Sequence, residues 1–181
     1  MPQLSITQLG NPVLRQKAAE VSQKKLATPQ VKNLIKDMKQ TLLAEDGLGL
    51  AAPQVSQLVR IIAVHIPPEL MGHKVAGVAL QALINPKIIQ TDDEKIEDWE
   101  GCLSFNFLRG RVPRYRRIIV EAWDESGDSL TIEAYDLYAR VLQHEIDHLD
   151  GILYLDRMKD MKSLMSLEEF EKMFKERNPL E

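Results

Sequence analysis

The chain has 181 residues, carries 23 Lys+Arg against 27 Asp+Glu for a formal charge of −4, and is 44% hydrophobic and 28% charged. That balance excludes a disordered or collagen-like chain and offers no global attraction for nucleic acid or anionic lipid. One cysteine, Cys102, excludes a disulfide-built scaffold; with no basic and then apolar leader after Met1 and no run of roughly eighteen apolar residues, it predicts a cytoplasmic protein of one domain over 1–181.

After a turn at Gly10-Asn11-Pro12, Thr28-Pro29 supplies an N-cap and a proline at the first helical position. Val31, Leu34, Ile35, Met38 and Leu42 then recur at helical spacing, which predicts a helix over about 29–44, ended by Gly47 and Gly49. The β-rich run Leu58 to Ile66 predicts a strand stopped by Pro67-Pro68, and 67–81 reads as a surface loop. Leu83-Ile84 and Ile88-Ile89, on either side of Asn85-Pro86, predict a bent strand or an edge. Arg109, Arg111, Arg114, Arg116 and Arg117 read first as a solvated strand face, with an anion or RNA contact as the alternative. Arg117 to Trp123 and Ser129 to Ala134 form a hairpin pattern around a polar turn.

Two helices close the chain. Leu137 to Asp150 places Leu137, Val141, His144 and His148 on one face and Leu142, Ile146 and Leu149 on another, so this helix is expected to be central and buried, with Gly151 at its C-terminal end. Ser166-Leu167-Glu168-Glu169 is a capping box opening an amphipathic tail helix within about 163–177.

His144-Glu145-Ile146-Asp147-His148 is an HExxH sequence on the central helix. Residues four apart share a face, so both imidazoles can reach one cation, while Glu145 stands beside it without ligating. The competing reading is a solvated face salt-bridged through Asp147 and Asp150, and it conflicts with the flanking apolar residues. A catalytic site of this type needs a third ligand, and Cys102 is the candidate, although taken alone it reads as a small buried hydrophobe. Gly47-Leu48-Gly49-Leu50-Ala51-Ala52-Pro53-Gln54 lacks the lysine of a phosphate loop; its small residues let backbone approach a ligand, with the Gln54 amide as a donor. Leu137 and Val141, one and two turns before His144, are candidates for the wall of an apolar slot, with plain core packing as the alternative.

Three motifs in order, G-x-G-x-A-A-x-Q at 47–54, E-G-C-L-S at 100–104 and Q-H-E-x-D-H-L-x-G at 143–151, resemble those of the peptide deformylase family. The resemblance implies an α+β fold with antiparallel β-sheets packed around the metal-binding HExxH helix and an outer C-terminal helix. It implies a hydrolase that removes the formyl group from the N-terminal formylmethionine of new polypeptides and releases formate. By the same resemblance Cys102, His144 and His148 hold Fe(2+), replaceable by Zn(2+), Ni(2+) or Co(2+), whose activated hydroxide attacks the formyl carbon. Glu145 is then the general acid/base, Gln54 and the Leu103 N–H stabilise the oxyanion, the peptide pairs with Leu48 and Gly49, and Arg109 borders the cleft.

The chain departs from the family pattern at Phe105-Asn106-Phe107, beside the cleft, and at Asp136, where relatives carry glycine and where an aspartate reads as a helix N-cap. Expected partners are formylmethionyl nascent chains and, transiently, the ribosome through the tail helix or the arginine run. A monomer is expected, with no membrane and no sequence-specific nucleic acid. Two other readings stay open from the residues: an HExxH metallopeptidase, and a metal-binding module that recognises formylated chains without turnover.

Overall fold

Two antiparallel sheets meet the HExxH helix in the computed structural model, which describes residues 3–71 and 76–177. In chain order the elements are α1 (Gln23–Leu26), α2 (Pro29–Ala44), β1 (Gly49–Ala51), β2 (Ile61–Ile66), β3 (Val78–Thr91), β4 (Lys95–Glu100), β5 (Leu108–Tyr115), β6 (Arg117–Trp123), β7 (Ser129–Tyr135), α3 (Asp136–Leu149), α4 (Tyr154–Arg157), β8 (Met165–Ser166) and α5 (Leu167–Arg177). The larger sheet runs β1-β2-β3-β6-β7 and the smaller β4-β5-β8. Among the described residues no helix is long and apolar enough to cross a membrane.

Strand β2 explains how the layers stack. Alternate side chains leave a strand on opposite faces, and here both faces are apolar and buried except at half-buried His65. Ile62, Val64 and Ile66 join Leu142, Ile146 and Leu149 of α3 in one core. Ile61 and Ala63 join Ile35, Met38 and Leu42 of α2 in the other. The larger sheet is therefore sandwiched between the two long helices, which is why β2 reads as a continuous apolar run rather than an alternating one.

The helix over 29–44 and the hairpin of β6 and β7 stand where the pattern places them. β2 starts at Ile61 rather than Leu58, because Val59 bridges Ala19 and the Arg60 N–H donates to the Ala19 carbonyl. The expected loop 67–81 gives way to β3 at Val78; residues 72–75 of that reading, like Met1-Pro2 and 178–181, lie outside the described residues. β3 is the bent strand expected around Asn85-Pro86. Asn85 sits at φ 52°, and its side chain bonds both the N–H and the C=O of Val21 at 2.8 Å, turning the bend into an anchor for the N-terminal segment.

Two readings are corrected, on the arginine run and on Asp136, and one pair of strands went unread. The β4–β5 ladder, in register from Lys95 opposite Tyr115 to Glu100 opposite Gly110, was not legible as a pair of strands. The arginine run is not a uniformly solvated face, since the side chain of Arg114 is only 5% exposed and that of Arg111 is 46% exposed. Asp136 does not cap α3: Tyr135 holds that position, and Asp136 takes up φ 48° while its carboxylate bonds Arg116 at 3.0 Å. A left-handed backbone there suits glycine best and tolerates aspartate, which accounts for the difference from the family pattern. One arm of the expected capping box is observed, with the Glu169 N–H donating to Ser166 Oγ at 3.3 Å, while the Glu169 carboxylate bonds Lys172 at 2.8 Å.

Candidate metal centre and active site

Burial of α3 along both faces brings His144 and His148 side by side, with ring centroids 4.9 Å apart. Cys102 leaves the end of β4 in extended conformation, just before the tight turn Leu103–Phe105. Its Sγ lies 3.2 Å from His148 Nε2, and the ligand atoms of Cys102, His144 and His148 all fall within 4.8 Å of one another. One thiol and two imidazoles, all buried, form a donor set that fits a zinc-like or ferrous ion. The electrostatics agree. Burial lowers the pKa of His144, but its hydrogen bonds to Cys102 and Glu100 hold it well above the usual value, so the spot between thiol and ring favours positive charge. Burial pushes His148 well below its usual value, the neutral form a ligand requires.

Behind the ligands lies a buried lattice of charge. Glu100 Oε2 is 2.9 Å from His144 Nδ1, fixing the ring so that Nε2 faces the cleft. The same carboxylate takes a fork from Arg114, at 2.9 and 3.1 Å, and a third guanidinium contact from Arg140 at 2.7 Å. Arg114 also reaches Asp147 at 2.5 Å, and Asp147 accepts from Arg157 at 2.7 Å. Arg140 donates further to the carbonyls of Ile96 and Val112, stitching α3 to the β4–β5 hairpin. Burial alone would raise Glu100, but the hydrogen bonds from His144 and Arg114 hold its carboxyl well below the usual carboxylate range.

Removing Arg114 would leave two buried carboxylates short of a partner. Arg114→Met is expected to cost about 3 kcal/mol, seen as a drop in melting temperature of about 6–12 °C, and to weaken metal affinity about 10- to 100-fold through the loosened Glu100–His144 bond. Calorimetric melting and metal titration read the two effects separately. The sequence reading placed none of Glu100, Arg114, Arg140 and Asp147 behind the ligands: Arg114 stood in the arginine run, Asp147 in the competing salt-bridged face and Glu100 in a motif without a role of its own. The one usable signal was Arg140, a charge inside a helix expected to be buried on two sides.

The cleft in front of the ligands encloses about 280 Å³ and is lined by Cys102, His144 and Glu145 among others. Glu145 Oε2 is buried with no hydrogen-bond partner among the described residues, and burial pushes its carboxyl up to about 7. The carboxyl lies directly over Gly49, so closely that a Cβ at that position would collide with it. Gln54 is held by its Oε1, which accepts the Ala51 N–H at 2.8 Å. Its Nε2 is thereby aimed at Cys102 Sγ, 3.4 Å away, and Ser104 Oγ, 3.3 Å away.

Leu48, Gly49, Leu103, Arg109, Leu137 and Val141 also line this cleft, so the expected site residues gather in one place, with His148 just behind its wall. The two aromatics of Phe105-Asn106-Phe107 divide. Phe105 is fully buried and stacks on Tyr154 at 5.0 Å, while Phe107 is 55% exposed.

The polypeptide deformylase family model matches residues 3–164. The chain is 41% identical over 170 residues to peptide deformylase 2 of Nostoc sp., covering 94% of each protein. To the peptide deformylase of Thermomicrobium roseum it is 44% identical over 155 residues, 86% of this chain and 85% of the relative. The structure superposes on the Met-Ala-Ser-bound class I type b peptide deformylase from Acinetobacter baumannii with a TM-score of 0.81 and 32% identity, covering 87% of this chain and 99% of that one.

Proposed function

Since the chain belongs to the polypeptide deformylase family, whose metal-dependent hydrolases remove the N-formyl group from nascent polypeptides, we propose that Cys102, His144 and His148 hold the cation and that Glu145 handles the protons. The observation that carries this reading is the convergence of the three ligand atoms with Glu145, whose Oε2 has no hydrogen-bond partner among the described residues, at one cleft. A divalent ion at the Cys/His/His set supplies Lewis-acid chemistry, polarising the formyl oxygen and lowering the pKa of a water. The family resemblance favours Fe(2+) as the resident ion, and the donor set also suits Zn(2+), Ni(2+) and Co(2+).

The chain's own residues do the rest. Glu145, buried and unbonded at Oε2, accepts a proton from the attacking water and returns it to the leaving amine. Gln54 Nε2, oriented through its other amide atom, and the Leu103 N–H donate to the charge that develops on the formyl oxygen, each worth about 3 kcal/mol in comparable sites. β1 is an edge strand of its sheet. The His65 N–H bonds the Leu48 carbonyl, which makes Gly49 opposite Val64 the non-bonded pair and turns the Gly49 N–H and C=O to the open side. An extended peptide can add there as a further strand. Leu137 and Val141 face the methionine side chain.

Protein loaded with Fe(2+) or Ni(2+) without oxygen is expected to release formate from formyl-Met-Ala-Ser, to stop on chelation and to recover on metal addition. Cys102→Ala is expected to lose its metal by elemental analysis. Cleavage of blocked peptides that lack a formyl group would instead support a metallopeptidase, and no formate from verified metal-loaded protein overturns the reading.

A further inference from the structure

Arg109 is the odd member of the arginine run. Arg111, Arg114, Arg116 and Arg117 each pair with a carboxylate. Among the described residues no carboxylate pairs with Arg109, although it lines the cleft. Its guanidinium lies against the backbone of Gly101, where a Cβ would strike Nη1. Nη1 donates to the carbonyls of Asn106 and Leu108, at 2.9 and 2.8 Å, so the head group folds back along its own loop. The ring of Phe170, on α5, stands 5.9 Å from Arg109 Cζ. Phe170 in turn packs edge-on against Trp99 at 5.1 Å and against Phe174 at 4.6 Å, and Trp99 is itself a wall of the cleft. The helix is tied to this rim by the Leu167 N–H bond to the Phe107 carbonyl and by the pairing of Arg109 with Met165.

We infer that the tail helix buttresses the Trp99–Arg109 wall of the substrate groove from outside and that Phe170 is a positioning residue, holding Arg109 where the peptide beyond the formylmethionine passes. The inference rests on the deformylase reading of the cleft. A cation set against an aromatic ring and a glycine backbone keeps its orientation without spending its charge on a carboxylate. Its uncommitted donors then serve the backbone carbonyls, or the terminal carboxylate, of the substrate's second and third residues. The Phe170 ring never touches the reacting atoms, so its loss affects long substrates and spares short ones.

The test is steady-state formate release by the metal-loaded enzyme with formyl-Met-Ala-Ser and with formyl-Met amide. Phe170→Ala is expected to raise KM for the tripeptide about five- to tenfold with kcat within about twofold, while KM for the amide stays at the wild-type value. Phe170→Tyr, which keeps the ring, restores the tripeptide KM. Arg109→Met produces the same rise, and combining it with Phe170→Ala adds nothing, as expected for two groups acting as one unit. Equal rises on both substrates, additive effects, or wild-type kinetics in Phe170→Ala overturn the inference. Should melting show that the alanine variant does not fold, Phe170→Leu takes its place with the same expected split. Wild-type enzyme silent on both substrates sinks the catalytic reading instead, and calorimetric binding of Met-Ala-Ser to the two Phe170 variants then decides the wall separately.

Discussion

Glu145→Gln is expected to lower kcat for formyl-Met-Ala-Ser by about a hundred- to ten-thousand-fold and to leave metal content at the wild-type level. The substitution keeps shape and volume, so the buried pocket over Gly49 stays filled. It removes only the capacity to accept and return a proton. Glu145 lies outside the group of ligand atoms formed by Cys102, His144 and His148, so metal retention separates a proton-handling role from a structural one. Rapid-quench or steady-state formate assays, with elemental analysis of the same sample, give both numbers. Full activity in the glutamine variant would remove Glu145 from the mechanism.

Gly49→Ala is expected to be nearly as damaging, for a reason that concerns Glu145 rather than the backbone's freedom. Gly49 carries no left-handed φ, so alanine is conformationally acceptable there. The added methyl, however, lands inside the Glu145 carboxyl. Either the carboxyl swings out of the cleft or β1 retreats, and the edge proposed to pair with substrate moves with it. Displacements of about 1 Å cost on the order of a hundredfold in rate, so kcat/KM should fall by about that factor, with a stability loss of about 1–3 kcal/mol from overpacking. Combining Gly49→Ala with Glu145→Gln should cost little more than Glu145→Gln alone, because both act through the same carboxyl. A Gly49→Ala enzyme within about threefold of wild type would show that the carboxyl relaxes freely, contrary to the packing.

The chemistry was more legible in the sequence than the scaffold that holds it. His144 and His148 could be paired from local spacing alone, because an i, i+4 separation on a helix fixes proximity without any knowledge of the fold. Cys102 could be nominated as the third ligand by its chemistry and supported by the motif resemblance, but no local spacing shows what brings the end of β4 to α3, which is the Arg114 and Arg140 contacts across two distant segments. Those contacts were invisible for a physical reason. Hydropathy treats every charge as a bid for water, whereas Glu100, Arg114 and Asp147 satisfy one another and go inside. The same blindness hid β4, whose Lys, Glu and Asp side chains mask the alternation that marks a strand, and left β5 legible only as an arginine-rich face without a partner strand. Asp136 was misread because a cap and a left-handed first residue of a helix attract the same side chain. Gly49 was read as room for a ligand; the structure gives it a second tenant, the Glu145 carboxyl.

Strand β1 spans only three residues, Gly49–Ala51, at the margin of its sheet. A short margin offers a stray strand little to pair with. It also limits what can be read from a visitor. Three residues of edge cover about 10 Å of extended chain, and main-chain pairing is indifferent to side chains. An extended peptide pairing at the proposed edge would therefore be engaged over its first few residues only, and through its main chain.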